Sequence, residues 1–464
     1  MQQEAGLARQ LSSGQLAMIA IGGAIGTGLF LGSSLAVQQA GPAVIVTYFM
    51  GAVIAWLLMN ALSEMAVAHP TAGSFGVYAE LYVSRWAGFA VRFTYWAVQA
   101  IAIGGEATAA GIYCRWWFPQ IPMWIWVAAF SLALLYVNAR SVGSFGTFEY
   151  WFSMIKVVAI MLFVVFGAAA LMGVGHGPAI GLRNYTVGGG FFPYGWKGAW
   201  LALVFVIYSY IGTEIVAVTA GEAKDPVRAV PRAMRTMVGR LILFYVGSIV
   251  VLIGVVPWNQ MQSGDVTASP FVRVFQLMGI PAAAHLINFV VLTAALSSIN
   301  CNLYLCARMM FSLARAGHAP ERFGRLSRKE TPVNALLVSA FGLAIATVVA
   351  LVYPSSAYVY MFGVALFGGL FVWLMIFLTH LFFRAQWERS GNPRLPVRMP
   401  GYPWTSLTGV VAVAAITLST WWVPGMRITL ITGPLWLAFL SLLYLAGARR
   451  ALSATEAEEA ASAD

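Results

Sequence analysis

About twelve stretches of this chain are apolar for long enough to cross the roughly 30 Å hydrocarbon core of a bilayer at 1.5 Å per helical residue. They fall at 15–37, 42–66, 87–113, 122–139, 148–172, 197–221, 237–257, 280–306, 333–353, 357–382, 404–423 and 428–447. Hydrophobic residues make up 60% of the chain and charged ones only 9%, far from the roughly one-quarter charged of soluble domains. The expected fold class is therefore an all-α integral membrane protein of about 12 transmembrane helices.

Two of these segments do not read as continuous helices. IAIGGAIGTGLFLG at 19–32 and VIYSYIGTEIVAVTAGE at 206–222 are interrupted by glycines at corresponding positions, one in span 1 and one in span 6. Hydrocarbon leaves unpaired peptide groups without water, so non-helical backbone survives at membrane depth only where protein or a watery cavity satisfies it. Paired broken helices in two repeated halves point to a solute-binding site of a transporter. The breaks lie five spans apart. Five is odd, so the halves face opposite ways, and a 5+5 inverted repeat with two extra C-terminal helices follows. The expected organisation is a tail at 1–14, a first repeat at 15–172, an outer loop at 173–196, a second repeat at 197–383 and spans 11 and 12 at 404–447. The acidic tail at 448–464 reads as disordered.

Net charge is +11, but the basic residues sort by loop. Most of the 27 lie in the tails and even-numbered connections, as do Arg85, Arg140, Arg228, Arg322 and Arg394, whereas odd-numbered connections hold Arg115, Arg183, Lys197, Arg273 and Arg427. The positive-inside rule places both termini in the cytoplasm, and the charge needs no nucleic-acid partner. Span 1 lacks a cleavage site of small residues and is read as a span, not a removed signal peptide. Cys114, Cys301 and Cys306 lack metal-ligand spacing, no phosphate-binding loop or nucleophile stands out, and neither an enzyme nor a bound cofactor is expected.

At the first break Gly22, Gly23, Gly26 and Gly28 allow the backbone to open, and a helix restarting near Thr27 and Gly28 presents N–H groups at its positive end, which suits a carboxylate. The Thr27 hydroxyl adds a donor. At the second, Tyr208, Ser209, Tyr210, Ile211 and Gly212 end a half-helix whose free carbonyls suit an ammonium. The pair fits a zwitterion. Close helix packing is the alternative for the first set of glycines, and the hydroxyls at the second break count against it.

Charged side chains at membrane depth are functional candidates by default. Glu106 lies among small residues in span 3, able to face a central cavity. Glu214 follows the second break by two residues, as a bracket for unwound backbone or as a proton carrier. Lys156, about 12 Å into span 5, either snorkels to the interface or faces the bundle, where it can release and regain a proton. Glu64, near the inner end of span 2, reads as interfacial. The five histidines read as structural.

LSSGQLAMIAIGGAIGTGLFLGSS, AGPAVIVTYFM, FEYWFSMIKVVAI, GTEIVAVTAGEAKDPVRAVPRAM and LSSINCNLYLCARMMFSLARAGHAPERF together resemble the amino acid permeases of the amino acid-polyamine-organocation superfamily, over about 11–450. Within it the chain is most similar to the bacterial amino acid transporter family. The resemblance implies a LeuT-type fold and import of amino acids into the cell, across the inner membrane, driven by protons and not sodium. It assigns the substrate carboxylate to Ile25, Gly26, Thr27 and Gly28, the ammonium to carbonyls near Tyr208 and Ile211, and a gating role to Tyr208. Lys156 matches a lysine thought to replace the sodium of sodium-coupled relatives, and Glu106 and Glu214 match acidic residues of spans 3 and 6. The chain departs from many relatives at Tyr208–Tyr210 and at Cys301 and Asn302, which leaves side-chain specificity open. Exchange of amino acids or polyamines is the rival within transport; a receptor that does not transport is the rival outside it.

Overall fold

The computed structural model describes residues 18, 21, 25–71, 73–140, 142–174, 179–218, 226–261, 269–277, 281–353 and 357–462. Gly22 and Gly23 of the first break, the tail at 1–14 and the end of the second glycine-broken segment lie outside them. Every regular element among the described residues is helical. Among the described residues nine helical stretches are long and apolar enough to cross a membrane, and they correspond to expected spans 2 and 5–12.

Beyond helical residues at Met18 and Ile21, the described elements run from a short helix α1 (Thr27–Phe30) and α2 (Gly32–Ala40) to α3 (Val44–Ala68), α4 (Ser74–Tyr82), α5 (Arg85–Arg115), α6 (Met123–Arg140) and α7 (Val142–Leu171). After the loop come α8 (Gly195–Tyr210), α9 (Ile215–Val218), and α10 (Pro226–Leu241), which passes through a π turn at Ile242–Val246 into α11 (Gly247–Val255). Then follow α12 (Pro270–Leu277), α13 (Pro281–Arg315), α14 (Val333–Ser339), α15 (Phe341–Val352), α16 (Ala357–Arg389), α17 (Trp404–Ser419) and α18 (Arg427–Ser462). Span 3 corresponds to α5 and span 4 to α6.

α5 runs through the middle of the bundle, packed against α13, α15, α16, α4 and α6. Its first turn is capped by Ser84, whose hydroxyl accepts the Ala87 N–H at 3.1 Å. Between α3 and α5 the chain forms α4, pinned to α5 by an Arg92–Glu80 ion pair at 2.5 Å.

The polarity of α7 is inverted relative to a soluble helix. Trp151, Ile155, Val158, Leu162 and Phe166 are exposed, while Glu149, Ser153, Lys156, Ile160 and Phe163 are buried on the opposite face. Both sets follow the three-to-four residue helical repeat. An apolar outer face meets lipid, and the polar groups are turned into the protein.

Glu64, near the inner end of α3, is turned into the protein: it is 1% exposed and accepts from His380 Nε2 and Arg384 Nη1, both at 3.1 Å, and from the Met399 N–H at 2.8 Å. His380 and Arg384 belong to α16, over 300 residues away in sequence. The final helix runs on through the acidic end of the chain to Ser462. Alanine and glutamate dominate that stretch, and both favour helix.

Candidate functional site

Both expected breaks are present. Ile25 and Gly26 are bent out of helix, with Gly26 extended at φ −118° and ψ −156°, before α1 starts at Thr27. α8 stops at Tyr210, Ile211 is extended at φ −63° and ψ 137°, and the chain turns through Gly212 at φ 103° into α9. That φ is one that residues with a side chain resist. The bonds closing this turn use the carbonyls of Tyr208, Tyr210 and Gly212 and leave that of Ile211 out.

The breaks touch each other. A methyl group on Gly28 would lie 2.9 Å from Ser209 Cα, so only glycine allows α1 to approach α8 this closely. Between them is a cavity of about 30 Å³, lined by Gly26, Gly28, Tyr208, Ser209, Ile211 and Gly212, by Val98, Gln99, Ala102 and Glu106 of α5, by Ser298 and Asn302 of α13, and by Ala365 of α16. That volume holds about one water. The Tyr208 ring lies along one side, its centroid 4.0 Å from that of Phe362 and the two planes tilted by 34°.

Glu106 is buried, and both its carboxylate oxygens lie 3.2 Å from the Thr27 N–H. Ser298 also bonds to this carboxylate. The acid therefore occupies the helix start expected to bind a substrate carboxylate, where peptide N–H groups and the helix dipole favour negative charge. Gly26 permits the approach: a methyl group there would lie 2.6 Å from Glu106 Oε1.

Lys156 and Glu214 do not line the cavity. Each stands behind one break and holds its loosened backbone. Lys156 is fully buried, which rules out snorkelling, and its Nζ donates to the Ile25 carbonyl at 3.0 Å. Glu214 accepts the Gly212 N–H on both oxygens at 3.0 Å, the Tyr95 hydroxyl at 3.0 Å and the Trp373 indole at 3.1 Å. The two charges thus satisfy peptide groups that hydrocarbon cannot. The Tyr245 hydroxyl adds a bond to the Ser209 carbonyl at 2.8 Å.

One carboxylate went unnoticed in the sequence. Glu149, on α7 two turns before Lys156, is fully buried and accepts from Ser153 at 2.9 Å, from Ser297, and from Asn300 Nδ2 at 3.2 Å. Asn300 is in turn bonded to Asn138 at 2.7 Å. The Lys156 ammonium lies in the field of both Glu149 and Glu106. Spacing was the signal: residues seven apart share a helix face, so a bundle-facing Lys156 implies a bundle-facing Glu149. Gln99, Ser298 and Asn302 of the cavity wall were likewise not picked out as site residues.

The bundle and this site define a multi-pass membrane protein with a transporter fold. A manganese transporter of Eremococcus coleocola superposes with a TM-score of 0.59 over 94% of this chain and 93% of its own; at 13% identity it shares the fold alone. The amino acid permease family model matches residues 15–452, and the chain belongs to that family. It is 38% identical to the gamma-aminobutyric acid permease of Bacillus subtilis (strain 168), over 97% of this chain and 96% of the relative. It is also 38% identical to the aromatic amino acid transport protein AroP of Escherichia coli O6:H1, over 95% of each chain. A putative histidine permease of B. subtilis matches at 38% over 94% of this chain and 93% of its own.

Proposed function

We propose that this permease imports amino acids into the cell across the inner membrane by proton symport, with both termini in the cytoplasm. The observation that carries the reading is the Glu106 carboxylate on the Thr27 N–H. An incoming amino acid brings its own carboxylate to the same helix start. Two carboxylates cannot both remain charged in one dry site, because like charges at close range are strongly disfavoured in low dielectric. Binding therefore releases Glu106 from Thr27 and drives a proton onto it. Ile25 to Gly28 then take the substrate carboxylate, while the Tyr208 and Ile211 carbonyls face its ammonium.

Relatives named for γ-aminobutyrate, aromatic amino acids and histidine support a site built on peptide groups. Those solutes share a carboxylate and an amine but not a side chain. Lys156 joins the proton step through its hold on the Ile25 carbonyl and its place between Glu106 and Glu149. Glu214 keeps the second break in shape when the first is disturbed. Alternating access follows if the outward and inward states bind proton and substrate with different affinity.

The test is uptake by proteoliposomes with proton and sodium gradients imposed separately. Accumulation driven by an inward proton gradient into vesicles holding no amino acid is expected. Uptake only into preloaded vesicles, indifferent to pH, would establish exchange instead, and binding without counterflow would establish a receptor.

A further inference from the structure

One wall of the cavity has a polar group that neither break uses. Asn302 lines the cavity and is 5% exposed, and its Oδ1 is without a hydrogen-bond partner. Leaving a buried polar atom unsatisfied costs about 1–3 kcal/mol, and native folds seldom do so without reason. Ser298, one turn earlier on the same face of α13, is engaged by Glu106, and Gln99 across the cavity is engaged by Tyr95. The nearby wall residues Val98, Ala102 and Ala365 have no polar side-chain atom to offer. Asn302 thus lines the place where a substrate would sit, and its buried Oδ1 meets no protein donor.

We propose that Asn302 reads the substrate's side chain, and that this carrier favours neutral amino acids with a hydroxyl or carboxamide group close to Cα. The inference rests on the amino acid carrier reading above. A carboxamide has an acceptor and a donor end. A substrate hydroxyl donates to Oδ1, and a substrate amide pairs with both ends. The small volume between α5 and α13 suits a short side chain, and no basic residue lines the wall to neutralise an acidic one. A purely apolar side chain offers Oδ1 no donor. Sites built around a hydrogen bond discriminate strongly for this reason.

Threonine and valine have nearly the same shape, as do asparagine and leucine, so each pair isolates the polar group. Uptake of the four radiolabelled amino acids into proteoliposomes should favour threonine over valine, and asparagine over leucine, by at least about tenfold. In Asn302→Leu the preference for threonine and for asparagine should be lost, because an apolar wall no longer favours the polar member of either pair. Asn302→Ser, which keeps a hydroxyl, should retain part of the preference. Wild-type ratios near unity overturn the proposal without any variant, as do ratios in Asn302→Leu that match wild type. Transport of other amino acids but none of these four overturns it as well and leaves the carrier reading standing. No uptake of any common amino acid overturns both.

Discussion

Replacing Lys156 with methionine keeps the length of the side chain and removes its charge and its donor. The Ile25 carbonyl, 3.0 Å from Nζ in the wild type, then loses that donor inside the bundle, at a cost of about 1–3 kcal/mol. Glu106 and Glu149 lose the cation between them, and breaking a buried charge group by removing one member costs about 3–5 kcal/mol when the remaining charge stays ionised. Protonation of a carboxylate relieves the second term, so the lower figure is the floor. At 1.4 kcal/mol per factor of ten, 1–3 kcal/mol corresponds to about 5- to 150-fold. The assay is initial uptake with inside pH held at about 7 while the outside is acidified stepwise. Lys156→Met should lose at least about fivefold in uptake under a gradient, and the remaining uptake should no longer rise as the outside becomes acid. A Lys156→Met protein that accumulates substrate and follows the gradient as the wild type does would refute the role given to this residue.

Gly28→Ala forces a methyl group to within 2.9 Å of Ser209 Cα, which no side-chain rotation relieves, so uptake should collapse. Gly239→Ala, in a helix with open space around it, should leave uptake intact and hold or slightly raise thermal stability. Glu64→Gln removes one of the two carboxylates on Arg384, leaving Glu388, and should destabilise the detergent-solubilised protein by about 1–3 kcal/mol, seen as a lower midpoint of thermal unfolding. His69, just past the end of α3 and 2.6 Å from the Tyr82 hydroxyl, is pushed below its ordinary pKa by burial. A group with a depressed folded pKa binds more protons unfolded, so its contribution is present above the unfolded value of about 6.5 and is lost as pH falls through the folded one. His69→Gln should therefore flatten the loss of thermal stability on acidification below that value.

What was legible in the sequence followed from the physics of the bilayer. Glycines inside an apolar span are conspicuous because hydrocarbon forbids unpaired backbone, and both breaks lie where they were read, at Ile25–Gly26 and Ile211–Gly212. Glu106, Lys156 and Glu214 stood out as charges at depth, and all three contact a break. That Lys156 and Glu214 act from behind the backbone was not legible, because direction around a broken helix is set by packing. Glu149 was missed because it falls at the expected start of span 5, where a carboxylate can be taken for an interfacial one. Asn302 and Ser298 were missed as site residues because uncharged polar groups are common between membrane helices. The burial of Glu64 was not legible because its partners His380 and Arg384 lie in another helix, and no local pattern predicts them.

The central claim is that substrate and Glu106 compete for one helix start, and that the loser takes a proton. Calorimetric binding of a transported amino acid in two buffers of different ionisation enthalpy counts protons taken up per substrate bound. The account predicts about one proton for the wild type at a pH where Glu106 is ionised, and about none for Glu106→Gln. Binding of the amino acid to the wild-type protein with no proton uptake at any pH would contradict it.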